Sequence, residues 1–225
     1  MTTKTLILII SLTLLGYQAN PPPQPKQSIA QLLIGKGLLR INDPERNNIL
    51  ADLHSINENN SPPEEDDRII TGRPKLVDDM SIEELYRAFA SRFEFYIDDT
   101  DSAKEINGKT YGVIKYRPKS NLNIRKTADQ LINRVSGNVY MDLDTFFITR
   151  IEGSVDKPFS FKFRYWFIPL STVHVYKFKF FVEYAVFNDI VVEEHLGGWA
   201  DFEHTYRNRG IKSSIYFLSN YKIKT

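Results

Sequence analysis

A chain of 225 residues, 42% hydrophobic and 13% aromatic, holds enough apolar mass for one medium domain with appendages. Its 29 basic residues balance 28 acidic ones to a formal charge of +1, so no whole-molecule field draws it to nucleic acid or to an anionic surface. The lack of cysteine removes disulfides, thiolate metal sites, cysteine nucleophiles and lipid attachment at an N-terminal cysteine.

In chain order, "MTTKTLILIISLTLLGYQAN" places Lys4 before an apolar run from Leu6 to Leu15 and predicts a secretory signal over residues 1–19. As a helix that run spans about 15 Å, half of a hydrocarbon core of about 30 Å. The expected location is therefore exported and periplasmic. The alternative is an anchor left uncleaved, because a cut after Ala19 puts Tyr17 where a small residue is usual. Residues 20–27, "NPPPQPKQ", read as an extended proline-rich spacer. Two short helices follow. "SIAQLLIGKGLL" spaces Ile29, Leu32, Leu33 and Leu38 helically, and "DPERNNILADLHSI" offers Asp43 as N-cap with Pro44 behind it. An acidic solvated loop is expected over 57–67, so 28–80 reads as a helical N-terminal part of a single domain, 28–225.

"SIEELYRAFASRF" predicts a helix, with Ser81 and Glu84 in capping-box spacing and Ile82, Leu85, Phe89 and Phe93 on one stripe. From there the texture changes to seven strand-like runs, interrupted by one short helical stretch, "NIRKTADQLINRV". In "VHVYKFKFFVEYAVF" the residues Tyr176, Phe178, Phe180, Val182, Tyr184 and Val186 alternate with Lys177, Lys179 and Glu183. Phe159, Phe161, Phe163, Tyr165 and Phe167 repeat the pattern, and Ile211, Ile215, Phe217 and Tyr221 form the expected apolar side of the last strand. One greasy and one wet face mean an antiparallel sheet. No helices separate the strands after residue 135, which excludes βαβ units. The expected fold is α+β: a strongly curved antiparallel sheet, an incomplete barrel, with helices covering its concave face.

No catalytic residue, metal ligand or cofactor emerges. His195 and His204 in "EEHLGGWADFEH" are nine apart, far from a helical zinc spacing, and His54 and His174 stand alone. Asp142 and Asp144 read as turn formers pointing into water, as does the cluster Asp98, Asp99 and Asp101. The lysines and arginines among the aromatics suit the solvated outer face better than a nucleic-acid platform. A hydrolase built on Asp142 and His195 is the enzymatic alternative to a non-enzymatic protein.

Three stretches carry a resemblance: "EINGKTYGVIKYRPK", "SGNVYMDLDTFFITRIEGSV", in which two strands bracketed by Gly137 and Gly153 meet at a tight aspartate turn, and "YFLSNYKI". Over residues 93–224 the chain resembles the lipoprotein carrier and outer-membrane lipoprotein-sorting (LolA/LolB-like) superfamily. The resemblance implies a half-barrel whose apolar interior holds lipid acyl chains, hence lipid binding and transport of a hydrophobic or amphiphilic ligand, with transient membrane-surface contact. The family's N-terminal strands are not recognisable between residues 27 and 80, and no basic residue matches the carriers' pocket mouth. From the apolar faces the expected lining is Tyr140, Phe147, Phe163, Trp166, Phe178, Phe180 and Tyr184. The alternative is an interaction protein of the same fold with a filled core, whose partner is an envelope protein.

Overall fold

The computed structural model describes residues 29–56, 68–71, 75–77, 80–81, 86–87, 89, 91–106, 108–120, 122–124, 127–165, 168–204 and 207–224. The expected signal, spacer and acidic loop lie outside these residues.

Helix α1, Ile29–Ile41, buries Ala30, Leu33, Ile34, Gly37, Leu38 and Ile41, the 3–4 spacing of one helical face. A Cβ on Gly37 would lie 2.6 Å from Ile148 Cγ1 and 3.1 Å from Met141 Cε, so the missing side chain is what lets the helix approach the sheet. Asp43 then accepts a bond from the Glu45 amide (2.9 Å) and starts a 3-10 turn, Pro44–Asn48. There the expected second helix stops. Residues Ile49–Ile56 are strand β1, paired antiparallel with the last strand from Ile49↔Ile223 to Ile56↔Ile215. "ILADLHSI" fits a period of 3.6 and a period of two equally, and a partner more than 150 residues away decides between them. Strand β2 (Arg68–Thr71) adds to β1, while β3 (Lys75–Val77) and β4 (Met80–Ser81) form a separate pair. The segment expected to be helical thus contributes strands.

Ser81, expected to cap a helix, ends β4, and residues 82–85 lie outside the described set; residues 86, 87, 89, 91 and 92 are helical. The remainder is a meander: β5 (Phe93–Tyr96), β6 (Ala103–Ile106), β7 (Lys109–Pro118), the short helix α2 (Thr127–Ile132), β8 (Ser136–Met141), β9 (Ile148–Val155), β10 (Phe159–Tyr165), β11 (Ile168–Phe187), β12 (Ile190–His204) and β13 (Arg207–Ile223). Among the described residues eleven strands join in one antiparallel sheet, ordered β2-β1-β13-β12-β11-β9-β8-β7-β5, with β10 beside β9 on β11 and β6 beside β5 on β7. The sheet does not close. Helix α1 lies against β5, β9 and β12.

Strand β11 keeps its expected face only in part. Phe178, Phe180, Val182 and Tyr184 are buried, but Val186 is 52% exposed and Tyr176 is half-buried. Pairing with β12 passes from Val175↔Phe202 to Lys177↔Asp201, so Tyr176 is an extra residue, a bulge. A one-residue slip exchanges the faces, and the buried set before the bulge is accordingly Val173 and Val175. In β13 the expected side is reversed. Tyr216 and Leu218 face the core, whereas Ile211 is 63% exposed and Ile215 lies on the opposite face. "IYFLSNY" is apolar in both phases, so register against β12, Leu196↔Tyr216, makes the choice. Asn220, at φ 52°, then returns Tyr221 to the core. Asn188 and Asp189, both at positive φ, supply the two-residue turn between β11 and β12.

Candidate functional site

Of the seven residues expected to line a cavity, Phe178, Phe180 and Tyr184 belong to the protein's own packed cluster. The rings of Phe178 and Phe180 lie 6.0 Å apart, and the hydroxyls of Tyr184 and Tyr86 are 2.5 Å apart. Phe147 packs at the cluster's edge beneath the Arg40 guanidinium, 4.6 Å from the ring centre. Tyr140 stands apart. Its neighbours Val139 and Met141 enter the core, while its hydroxyl donates to Glu152 Oε1 (2.5 Å) on the other face, beneath Lys104. The backbone of Phe163 pairs with Ser171; the Phe163 side chain and all of Trp166 lie outside the described residues.

Among the aromatics of the inner face sits a charged pair that the sequence does not signal. Arg46 and Glu193 are 0% and 1% exposed. Arg46 Nε donates to Glu193 Oε2 (2.9 Å), Nη2 lies 2.7 Å from the same oxygen outside hydrogen-bonding geometry, and Nη1 has no acceptor among the described residues. Tyr86 donates to Glu193 Oε1 (3.3 Å), and Tyr221 donates to the Glu193 carbonyl (2.7 Å). This cluster ties the 3-10 turn, the helical residues near 86 and strands β11 to β13 together. "DPERNN" and "VVEEHL" look like surface segments, so composition could not have found it.

The outer face carries a polar row. Asn138 and Tyr140 on β8 both donate to Glu152, Arg150 Nε donates to Glu152 Oε2 (3.1 Å), Arg150 Nη1 donates to Glu183, and His195 Nδ1 lies 3.2 Å from Glu183 Oε2. Burial pushes the Tyr140 phenol up to about 12, helped by the Glu152 carboxylate. Burial also tends to raise Glu152, but the bonds from Tyr140, Asn138 and Arg150 outweigh it and hold the carboxyl below its ordinary value.

Beside this row two open depressions of about 450 Å³ each share Lys179 and Trp199. The first is walled by Asn138, Arg150, Glu152, Phe181 and Ile215, and the interposed residues Gly153, Phe180 and Gly198 complete its floor. In a pleated sheet Phe180 sends its side chain to the other face, and Gly153 and Gly198 have none. A Cβ on Gly197 would meet the Phe181 ring at 2.5 Å, so the ring covers the glycine and leaves the floor low. The second lies where β9 gives way to β10, next to Asp156 and Lys177. Sequence reasoning passed over Trp199, although its place in "LGGWADF" after two glycines was the available signal.

Asp142 forms the β8–β9 turn, accepting from the amides of Asp144 (2.9 Å) and Thr145 (3.2 Å) while Lys109 Nζ sits 2.5 Å from Oδ2. It is 6% exposed, so only Asp144 points into water as expected. Burial raises the Asp142 carboxyl, yet Lys109 and the two amides bring it below its usual value. Tyr140, Arg150, Glu183 and His195 are successive partners across β8, β9, β11 and β12. Three strand spacings, about 14 Å, therefore separate His195 from Tyr140, and Asp142 lies two residues beyond Tyr140, in the turn that follows β8. Asp142 and His195 do not share a site. Among the described residues no group of three or more histidines and carboxylates is placed to hold a metal ion.

The Asp98 turn has a consequence in acid. The Thr100 hydroxyl, Lys115 and the Thr100 amide together lower the Asp98 carboxyl from 3.8 to about 2. A carboxyl depressed by folding contributes stability that is complete above its unfolded value and lost as pH falls through the folded one. Unfolding midpoints in urea should therefore decline between about pH 4 and pH 2. Asp98→Asn should flatten that decline; identical wild-type and variant profiles would rule out the assignment.

Comparison of the chain with protein-family models, with curated proteins and with solved structures finds no match.

Proposed function

We propose that the protein is a non-enzymatic interaction module of the cell envelope, LolA/LolB-like in its open sheet and its helix-covered concave face, that binds through its outer surface rather than by carrying cargo inside. The observation that carries this reading is the occupancy of the inner face. Phe178, Phe180, Val182 and Tyr184 are all buried in one cluster with residues of α1, with Phe89 and with Tyr116. Export rests on the apolar run Leu6–Leu15 and the spacer behind it. An enzymatic role has little support, because the Asp142 and His195 side chains serve separate networks.

One observation favours a second reading, the amphiphile carrier. Among the described residues, a Cβ on Gly198 would meet nothing nearer than Lys179 O at 3.8 Å, which leaves room on the inner face beside Phe180. An acyl chain in that strip would gain about 25 cal/mol for each Å² of apolar surface buried. Native mass spectrometry of the full chain, purified from its host without detergent, separates the two. The interaction module predicts the bare protein mass. A bound species of several hundred daltons, released on collisional activation, would replace it with the carrier.

A further inference from the structure

Strands β9 and β10 lie end to end along β11, whose pairing passes from Val155↔Phe178 to Phe159↔Val175. Strand β8 covers only the first of them, and its pairing stops at Ser136↔Ser154. Past that point one side of β10, seven residues or about 23 Å of main chain, has no strand next to it among the described residues. The amides and carbonyls on that side are a template for one more strand. Strands β2, β5 and β6 offer edges of only four residues each. The open stretch of β13 ahead of Ile215 contains Gly210, which weakens strand pairing.

The side chains along β10 suit a strand with two unlike faces. Phe159 and Phe161 are half-buried, their rings stacked 5.9 Å apart against the core, and Arg134 Cζ lies 4.4 Å from the Phe159 ring centre. A neighbouring strand would cover the rest of those rings with its own inward side chains. On the opposite face Ser160 Oγ and His174 Nδ1 are 2.6 Å apart, and Lys162 is exposed with no hydrogen bond or ion pair to any described residue. The exposed cations Arg134, Lys157 and Lys162 outnumber Asp156 along this edge. The acids of β12 do not cancel them. Asp201 is held by Arg209, and Glu203 accepts from the Tyr176 hydroxyl. Glu203 faces His174, which faces Ser160, so an added strand would stand three spacings from it, about 14 Å, beyond the screening length of about 8 Å at physiological salt.

A second copy pairing through the same edge would bring these cations against their own counterparts, and like charges across a strand pair destabilise it. We propose that the free edge of β10 takes up an extended peptide of a partner protein as one more strand, its apolar side chains over Phe159 and Phe161 and its acidic ones beside Lys162. The inference rests on the interaction reading and names its class of partner.

The test is titration of the full chain with acetyl-Thr-Asp-Val-Glu-Val-Asp-Thr-amide and with the same peptide carrying lysine for each acid, followed by calorimetry and amide hydrogen exchange. Two further analogues of the acidic peptide are N-methylated at alternate amides, in one phase or the other. The acidic peptide should bind about fivefold tighter than the lysine one. It should slow exchange in residues 159–165 and leave 190–204 unchanged. One N-methylated analogue should lose binding and the other keep it, because alternate amides point toward the edge and away from it. Lys162→Glu, an exposed substitution, should remove the preference for acid while leaving thermal unfolding in place. No heat with the acidic peptide at about 1 mM, equal affinity for the two charge forms, or binding of both N-methylated analogues would overturn the proposal. So would protection confined to other strands, or a dimer that protects 159–165 without peptide. A bare native mass with no peptide binding would remove only this edge and leave the interaction reading standing; a lipid-bearing native mass would remove that reading, and the titration would still decide the edge.

Discussion

Replacing Arg46 with methionine should lower the free energy of unfolding by about 3–5 kcal/mol, a large share of the stability of an ordinary domain. The loss comes less from the missing attraction than from what stays behind. Glu193, 1% exposed, would keep its carboxylate away from water without the 2.9 Å bond from Arg46 Nε that now offsets its burial. Removing both charges should cost much less. In Arg46→Met with Glu193→Leu neither ion of the pair remains, and apolar side chains of similar volume replace a pair whose Nη1 has no acceptor among the described residues. Urea unfolding of the two single variants and the double variant forms a cycle. The expected result is a double variant more stable than Arg46→Met. Additive losses would show that the two side chains act independently, contrary to the 2.9 Å bond between them.

The sequence announces the sheet through period-two aromatics, and β7, β8, β9 and β11 overlap the strand-like runs expected there. Register is less legible. The Tyr176 bulge and the register shift at Asn220 each move a strand's apolar set by one residue, and a sequence with apolar side chains in both phases, as in "IYFLSNY", carries no local sign of which phase is buried. Strand β1 was hidden for another reason. It forms only because β13 comes back beside it, and a short apolar segment read alone favours whichever period the reader tries first. The Asp142 turn was legible because an aspartate that caps its own turn acts within three residues. The Arg46–Glu193 pair spans 147 residues and leaves no such local trace. Tyr140, expected among the cavity residues, shows the limit of counting by two: β8 is apolar at Val139, Tyr140 and Met141 in succession, and the hydroxyl's bond to Glu152 decides which way Tyr140 turns.

The inner face of β11 as the protein's own core is the claim on which the rest depends, and Phe180 tests it. The ring is 4% exposed, 6.0 Å from that of Phe178, and near enough to Gly153 that a Cβ there would fall 2.6 Å from Phe180 Cε1. Truncating a phenylalanine so enclosed leaves a cavity that its neighbours only partly refill, and such changes cost about 3–5 kcal/mol. A ring that faced a guest molecule would cost far less in protein stripped of lipid, because its partner would already be gone. Equilibrium unfolding of Phe180→Ala and of the parent chain, both after delipidation by organic extraction and refolding, is the most direct measurement. A loss of about 3 kcal/mol or more is the result the account predicts. A loss under about 1 kcal/mol, restored to a large effect when fatty acid is added back, would contradict it and return the inner face to a carried ligand.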